Sequence, residues 1–74
     1  MKVLLFGILA EKAGADMLEL EVESTLGLRQ RLSEQVPDAD LLSYAIAVDR
    51  RIVHDDIRLT GNEEIALLPP FAGG

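Results

Sequence analysis

Apolar residues in this chain come first as an unbroken run, then in alternation, then four apart, and finally in short runs again. Val3 to Leu9 is almost continuously apolar, with branched and aromatic residues, which predicts a central strand covered on both faces. Ala10 to Asp16 carries charges and Gly14 and reads as a short turn or helical loop. Met17 to Glu23 alternates apolar and acidic positions, the period of a half-buried strand pairing with the first. Ser24 is a natural N-cap, and Leu28, Leu32 and Val36 then fall four apart on one helical stripe. Gly27 costs this helix about 1 kcal/mol relative to alanine, so packing must hold its first turn. Pro37 stops the helix, and Asp38 to Ser43 allows a second short helical turn.

Shorter apolar runs follow. Tyr44 to Asp49 predicts a third strand, Arg50-Arg51 a turn, and Ile52-Val53 a short fourth strand broken by Asp55-Asp56. Thr60-Gly61-Asn62-Glu63 is a turn with two residues tolerant of positive φ. Glu64 to Leu68 is the last strand, ended by Pro69 and Pro70, which lack an N–H and have fixed φ. The predicted class is α+β, a mixed sheet of about five strands on one main helix. Residues 1–69 form the domain and residues 70–74 a flexible, projecting tail.

One helix covers one face of such a sheet. Yet the first run places Val3, Leu5 and Leu9 on one face and Leu4, Phe6 and Ile8 on the other. The last strand offers Ile65 and Leu67 on one side and Ala66 and Leu68 on the other. The face away from the helix is therefore expected to be apolar, the mark of a docking surface, unless a loop covers it. The patch and the tail leave from the same strand.

Composition narrows the chemistry. A chain of 74 residues buries only about 60% of its unfolded surface, too little for a second domain or a deep ligand pocket. Its 49% hydrophobic content argues against disorder. With no cysteine, thiolate nucleophiles and disulfides are excluded. A single histidine, His54, supplies no zinc ligand set, and no metal is expected; between Val53 and Asp55-Asp56 it reads as an exposed turn residue. The formal charge of −6 disfavours nucleic acid as a partner and favours basic faces on proteins. The opening segment faintly resembles a signal peptide, but removing it would take away the most hydrophobic segment, so it reads as a strand. Nothing is long enough to span a membrane, and the expected location is cytoplasmic.

The closing residues, Pro70-Phe71-Ala72-Gly73-Gly74, carry the most specific signal. A diglycine ends roughly 0.5% of chains by chance, and two residues without Cβ thread a slot too narrow for any other pair. From Pro70 to Gly74 the chain reaches at most about 17 Å. A slim tail with a semi-rigid root and a free carboxylate at Gly74 suits activation by another enzyme.

The opening Lys2-Val3-Leu4-Leu5-Phe6-Gly7, the segment Leu9-Ala10-Glu11-Lys12-Ala13-Gly14, the Ala47-Val48-Asp49 triplet and the close from Glu64 to Gly74 resemble the small, sulfur-carrying subunit of molybdopterin synthase. This is a MoaD/ThiS-like family with the ubiquitin-like β-grasp fold, and the likeness covers the whole chain. The chain departs from the usual pattern at Asp49, where Asn is common, at Ala10, where a basic residue is common, and at Gly61-Asn62 in place of Asp-Gly. None of these touches the tail. The resemblance implies that the Gly74 carboxylate is adenylated by a ubiquitin-activating-like adenylyltransferase using ATP and becomes a thiocarboxylate. It then gives sulfur to a cyclic pyranopterin phosphate held by the large synthase subunit, in a heterotetramer. Gly73 keeps the tail slim, Phe6, Ile52, Leu68 and Phe71 dock partners, and catalytic side chains come from the large subunit. The chain binds no cofactor itself.

Three other readings share parts of this pattern. A sulfur carrier for thiazole synthesis has the same tail, but tends to open on a shorter, Asn-Gly-rich hairpin in place of Phe6-Gly7 and the 10–14 loop. A ubiquitin-like modifier would form isopeptide bonds through Gly74. An interaction module with an inert diglycine has no chemistry at all.

Overall fold

The computed structural model describes residues 1–69. Five strands form one mixed sheet in the order β2-β1-β5-β3-β4. They are β1 (Lys2–Leu5), β2 (Met17–Glu19), β3 (Ala45–Val48), β4 (Arg51–Val53) and β5 (Ile65–Leu68). Between them lie α1 (Ile8–Ala13), α2 (Thr25–Gln35) and a 3₁₀ turn at Ala39–Leu41. The first and last strands are central and parallel, with Leu5 opposite Leu67, while β2, β3 and β4 pair antiparallel. This is the β-grasp arrangement, one main helix held across the sheet.

The ladder registers decide what faces where. Val3, Ile65 and Val48 form one cross-sheet row, and Leu5, Leu67, Ile46 and Val53 the next. Both rows point toward the helices, where Leu9 of α1 and Leu28 and Leu32 of α2 complete the core. Fully burying such a side chain stabilises the fold by about 1.5–3 kcal/mol.

The helix α2 begins where the pattern places it. Ser24, in extended backbone, accepts the Gly27 N–H at 3.1 Å, satisfying one of the free donors of the first turn. Asp56 from the loop after β4 accepts the Leu26 N–H at 2.9 Å. Buried Thr25 accepts the Ile57 N–H at 3.0 Å and lies 3.2 Å from Asp56 Oδ1. The 54–59 loop is thus fastened to the helix start.

Three boundaries differ from the sequence reading. The first strand ends at Leu5, and Ile8-Leu9 open a helix instead of extending it. Gly7, at φ 60° and ψ −135°, breaks the strand, and a continuous apolar run fits a buried strand and a helix segment alike. Leu9 is nonetheless in the core and Ile8 outside it. The second strand stops at Glu19, because β1 offers no ladder partner beyond Lys2; Leu20 is still buried and donates its N–H to the Met1 carbonyl at 3.0 Å. The β3–β4 turn falls at Asp49-Arg50, not Arg50-Arg51. Both residues have positive φ, 50° and 69°, the signature of a type I′ hairpin whose twist matches the strands.

Candidate functional site

Pairing across all five strands puts Met17, Leu4, Ala66, Ala47 and Ile52 in one row on the face away from the helices. Leu68 and Ala45 form a shorter row beside it, toward the end where the chain leaves the sheet. Met17, Phe6 and Ile52 are 44%, 45% and 45% exposed, and Leu68 and Leu4 are half-buried. The centre is floored by alanines, at 45, 47 and 66, with larger side chains around them. The result is a shallow apolar surface that fits side chains of a partner. On the far side of the row, Lys2 faces Glu19 across the ladder and both are exposed. The apolar ground therefore lies toward the tail.

Of the residues expected to dock partners, Ile52 and Leu68 lie on this face, and Phe6, directly after β1, is exposed. The reading from the residues put Leu4, Ala66 and Leu68 on this face but left out Met17, Ala45 and Ala47. Their signal is pairing register, which alternation within a single strand does not reveal. Phe71, Gly73 and Gly74 lie outside the described residues. His54 is exposed, as its neighbours suggested.

The root of the tail is well fixed. Because β5 runs parallel to β1 with Leu67 against Leu5, Leu68 and Pro69 continue alongside Phe6 and Gly7. A Cβ built on Gly7 would sit 3.1 Å from Pro69 Cγ and 3.3 Å from its Cβ, so the proline ring packs on the bare glycine. On the other flank, Tyr44 directly precedes Ala45, the partner of Leu68. The Arg29 guanidinium stands 5.0 Å from the Tyr44 ring centroid, a cation–π distance. Burial pushes the Tyr44 phenol above its ordinary value, against the opposing pull of Arg29.

Among the described residues no helix is long and apolar enough to cross a membrane. Two shallow clefts flank the start of α2, one of about 120 Å³ lined by Thr25, Arg29, His54 and Asp56 among others, and one of about 250 Å³ lined by Glu23, Ser24, Asp56 and Arg58. Both lie below the roughly 300 Å³ of a small-molecule site. The apolar sheet face and the end of the central strand β5 beside it are the candidate functional features.

The chain matches the family model described as the ThiS family over residues 3–74. It belongs to the ThiS family. No curated protein matches it. As a member of this family the chain is a sulfur carrier, with no catalytic site of its own, working with partner enzymes. The β-grasp sheet is consistent with that membership, and the family match extends through the diglycine.

Proposed function

We propose that this sulfur carrier is the small subunit of molybdopterin synthase, with the Gly74 carboxylate as its active group. The observation that carries the reading is the pairing of a specific Ile65-Ala66-Leu67-Leu68-Pro69-Pro70 close with a helix-free apolar face at the root of the same strand. The opening Phe6-Gly7 and the helical segment after it favour molybdopterin over thiazole synthesis, whose carriers tend to open on an Asn-Gly-rich hairpin.

A carboxylate is a poor electrophile. The adenylating partner, using ATP, joins AMP to the Gly74 carboxylate and releases pyrophosphate. A donor of sulfide-level sulfur then attacks the acyl carbon, displaces AMP and leaves a thiocarboxylate. The large subunit holds the cyclic pyranopterin phosphate; the thiocarboxylate sulfur bonds to a pterin side-chain carbon and displaces the oxygen it carried, and hydrolysis of the resulting thioester leaves the sulfur on the product and returns the carboxylate. A dithiolene needs two sulfurs, so two carriers are used per product. Phe6, Ile52, Leu68 and Phe71 bind the partners, Gly73 keeps the tail slim, and the cytoplasm supplies the ATP.

The test is reconstitution with the large subunit and the cyclic precursor. Dithiolene formation that depends on sulfur-loaded carrier supports the reading. Transfer only into a thiazole synthase, or adducts on lysines of other proteins, would assign the carrier to a different pathway.

A further inference from the structure

The two edges of the sheet complement each other. The outer strands are β2 and β4, at opposite ends of the sheet. In β2, the Leu5 N–H reaches the Asp16 carbonyl and the Leu20 N–H reaches the Met1 carbonyl. With Val3 opposite Leu18, the residues bonded to β1 are therefore Asp16, Leu18 and Leu20. The N–H and C=O of Met17 and Glu19 point away from β1, off the edge. In β4, the two-residue turn at Asp49-Arg50 makes Val48 and Arg51 the closing hydrogen-bonded pair, with Ile46 and Val53 the next. The N–H and C=O of Ile52 thus also point off the edge. Among the described residues none of these outward backbone groups has a hydrogen-bond partner.

We propose that the domain self-associates edge to edge, β4 of one copy pairing antiparallel with β2 of a second copy. Three features select this occupant, and none depends on the pathway the carrier serves. The first is strand direction. The pairings make β4 run parallel to β1 and β2 run opposite to it. A second copy in the same orientation therefore brings its β2 antiparallel to β4, with the open faces continuous. The second is side-chain character. Ile52 and Met17, 45% and 44% exposed, are the two ends of one apolar row, and set opposite each other they join the rows of two copies. The third is charge. In that register Arg50, two residues before Ile52, meets Glu19 of the second copy, two residues after Met17. Arg50 is 86% exposed, and its 3.6 Å contact with Glu64 is a surface pair of little strength. Glu19 is 62% exposed and also holds the Met1 ammonium at 3.0 Å. Like edges repel: two β2 edges each carry Asp16, Glu19 and Glu21, and two β4 edges each carry Arg50 and Arg51. A slip of two residues sets Ile52 against the Glu19 carboxylate, so the register is specified. The contact joins unlike patches and does not close on itself. Three-residue strands bury little area, which puts the dissociation constant on the order of 0.1–1 mM. The formal charge of −6 on each copy opposes association, and moderate salt screens it.

Sedimentation velocity and amide NMR spectra of the purified chain, from about 10 μM to about 1 mM in roughly 0.15 M salt, test this. The sedimentation coefficient should rise with concentration, and the largest amide shifts should fall on Met17 to Glu19 and on Arg51 to Val53. A chain that stays monomeric throughout overturns the proposal. So do shifts centred on Leu4, Ala66 and Leu68, which would mean that copies meet face to face. Glu19→Arg and Arg50→Glu should each weaken association by about fivefold or more. An equimolar mixture of the two should restore it, because each variant supplies the charge that the other's edge lacks. A mixture no more associated than its components overturns the edge pairing. Glu19→Arg also removes the Met1 contact. If that variant does not fold, Arg50→Glu alone must weaken the concentration dependence, and an unchanged dependence overturns the proposal equally.

Discussion

Individual residues in this carrier show where the fold is strained and where it is secured. Arg50 is held at φ 69° in the β3–β4 turn, a conformation that costs an L-residue roughly 1–2 kcal/mol. Its exposed contact with Glu64, 3.6 Å away, offsets little of this. Arg50→Gly should therefore stabilise the protein by about 0.5–1 kcal/mol after the added unfolded-state entropy, read as a raised midpoint in urea. A lowered midpoint would mean the Arg50–Glu64 pair matters more than the backbone. Beside it, Asp49 Oδ1 accepts the Glu64 N–H at 2.9 Å. An Asn side-chain oxygen accepts the same bond, so the departure from the usual Asn leaves this contact intact.

Glu63 shows the opposite case. Its carboxylate accepts the Thr60 N–H at 2.9 Å, the Gly61 N–H at 3.0 Å and the Thr60 hydroxyl at 3.1 Å. Backbone donation from Thr60 is the main cause holding its carboxyl below the ordinary value. A lowered folded-state value means the contribution is present above the unfolded-state value and is lost as pH falls through the folded one. Thermal melts across acidic pH should show a shallower loss of stability in Glu63→Gln than in the wild type. Parallel profiles would show that the loop contacts carry no net pH dependence.

At the scale of elements, the helix start is the clearest joint. Thr25→Val keeps the shape but leaves the Ile57 N–H without its acceptor, a cost of about 1–3 kcal/mol for a buried donor. Hydrogen exchange at Ile57 should rise with that loss; unchanged protection would mean that water replaces the hydroxyl. This joint was half legible in the sequence. Ser24 before the Leu28, Leu32 and Val36 stripe marks the cap, but Thr25 gives no sign of its partners some 30 residues away. Gly7 hid the end of the first strand, since its backbone angle and not its neighbours' hydrophobicity turns the chain into α1. That strand one and strand five are apolar on both faces was legible from each taken singly, but not which face is left exposed. Its extension to Met17 and Ala47 depends on pairing register, which single-strand alternation does not contain.

For the whole molecule, a small sheet with its helices on one side leaves the other side uncovered among the described residues, and the proposed function puts partners there. Phe6→Asp or Leu68→Asp should weaken binding of the large subunit at least tenfold while circular dichroism shows an intact fold, because a charge is desolvated at an apolar contact. Unfolding of either variant would place that residue in the core and remove it from the docking surface. The charge of −6 adds attraction to basic partner faces, and high salt should slow association more than dissociation.

The central claim is that the Gly74 carboxylate carries the sulfur. Intact mass of the chain after co-expression with its adenylating partner tests it most directly. The account predicts a species in which one terminal oxygen is replaced by sulfur, absent when Gly74 is deleted. A wild-type chain that stays unmodified, or a deletion variant that still supports molybdopterin formation, would contradict it.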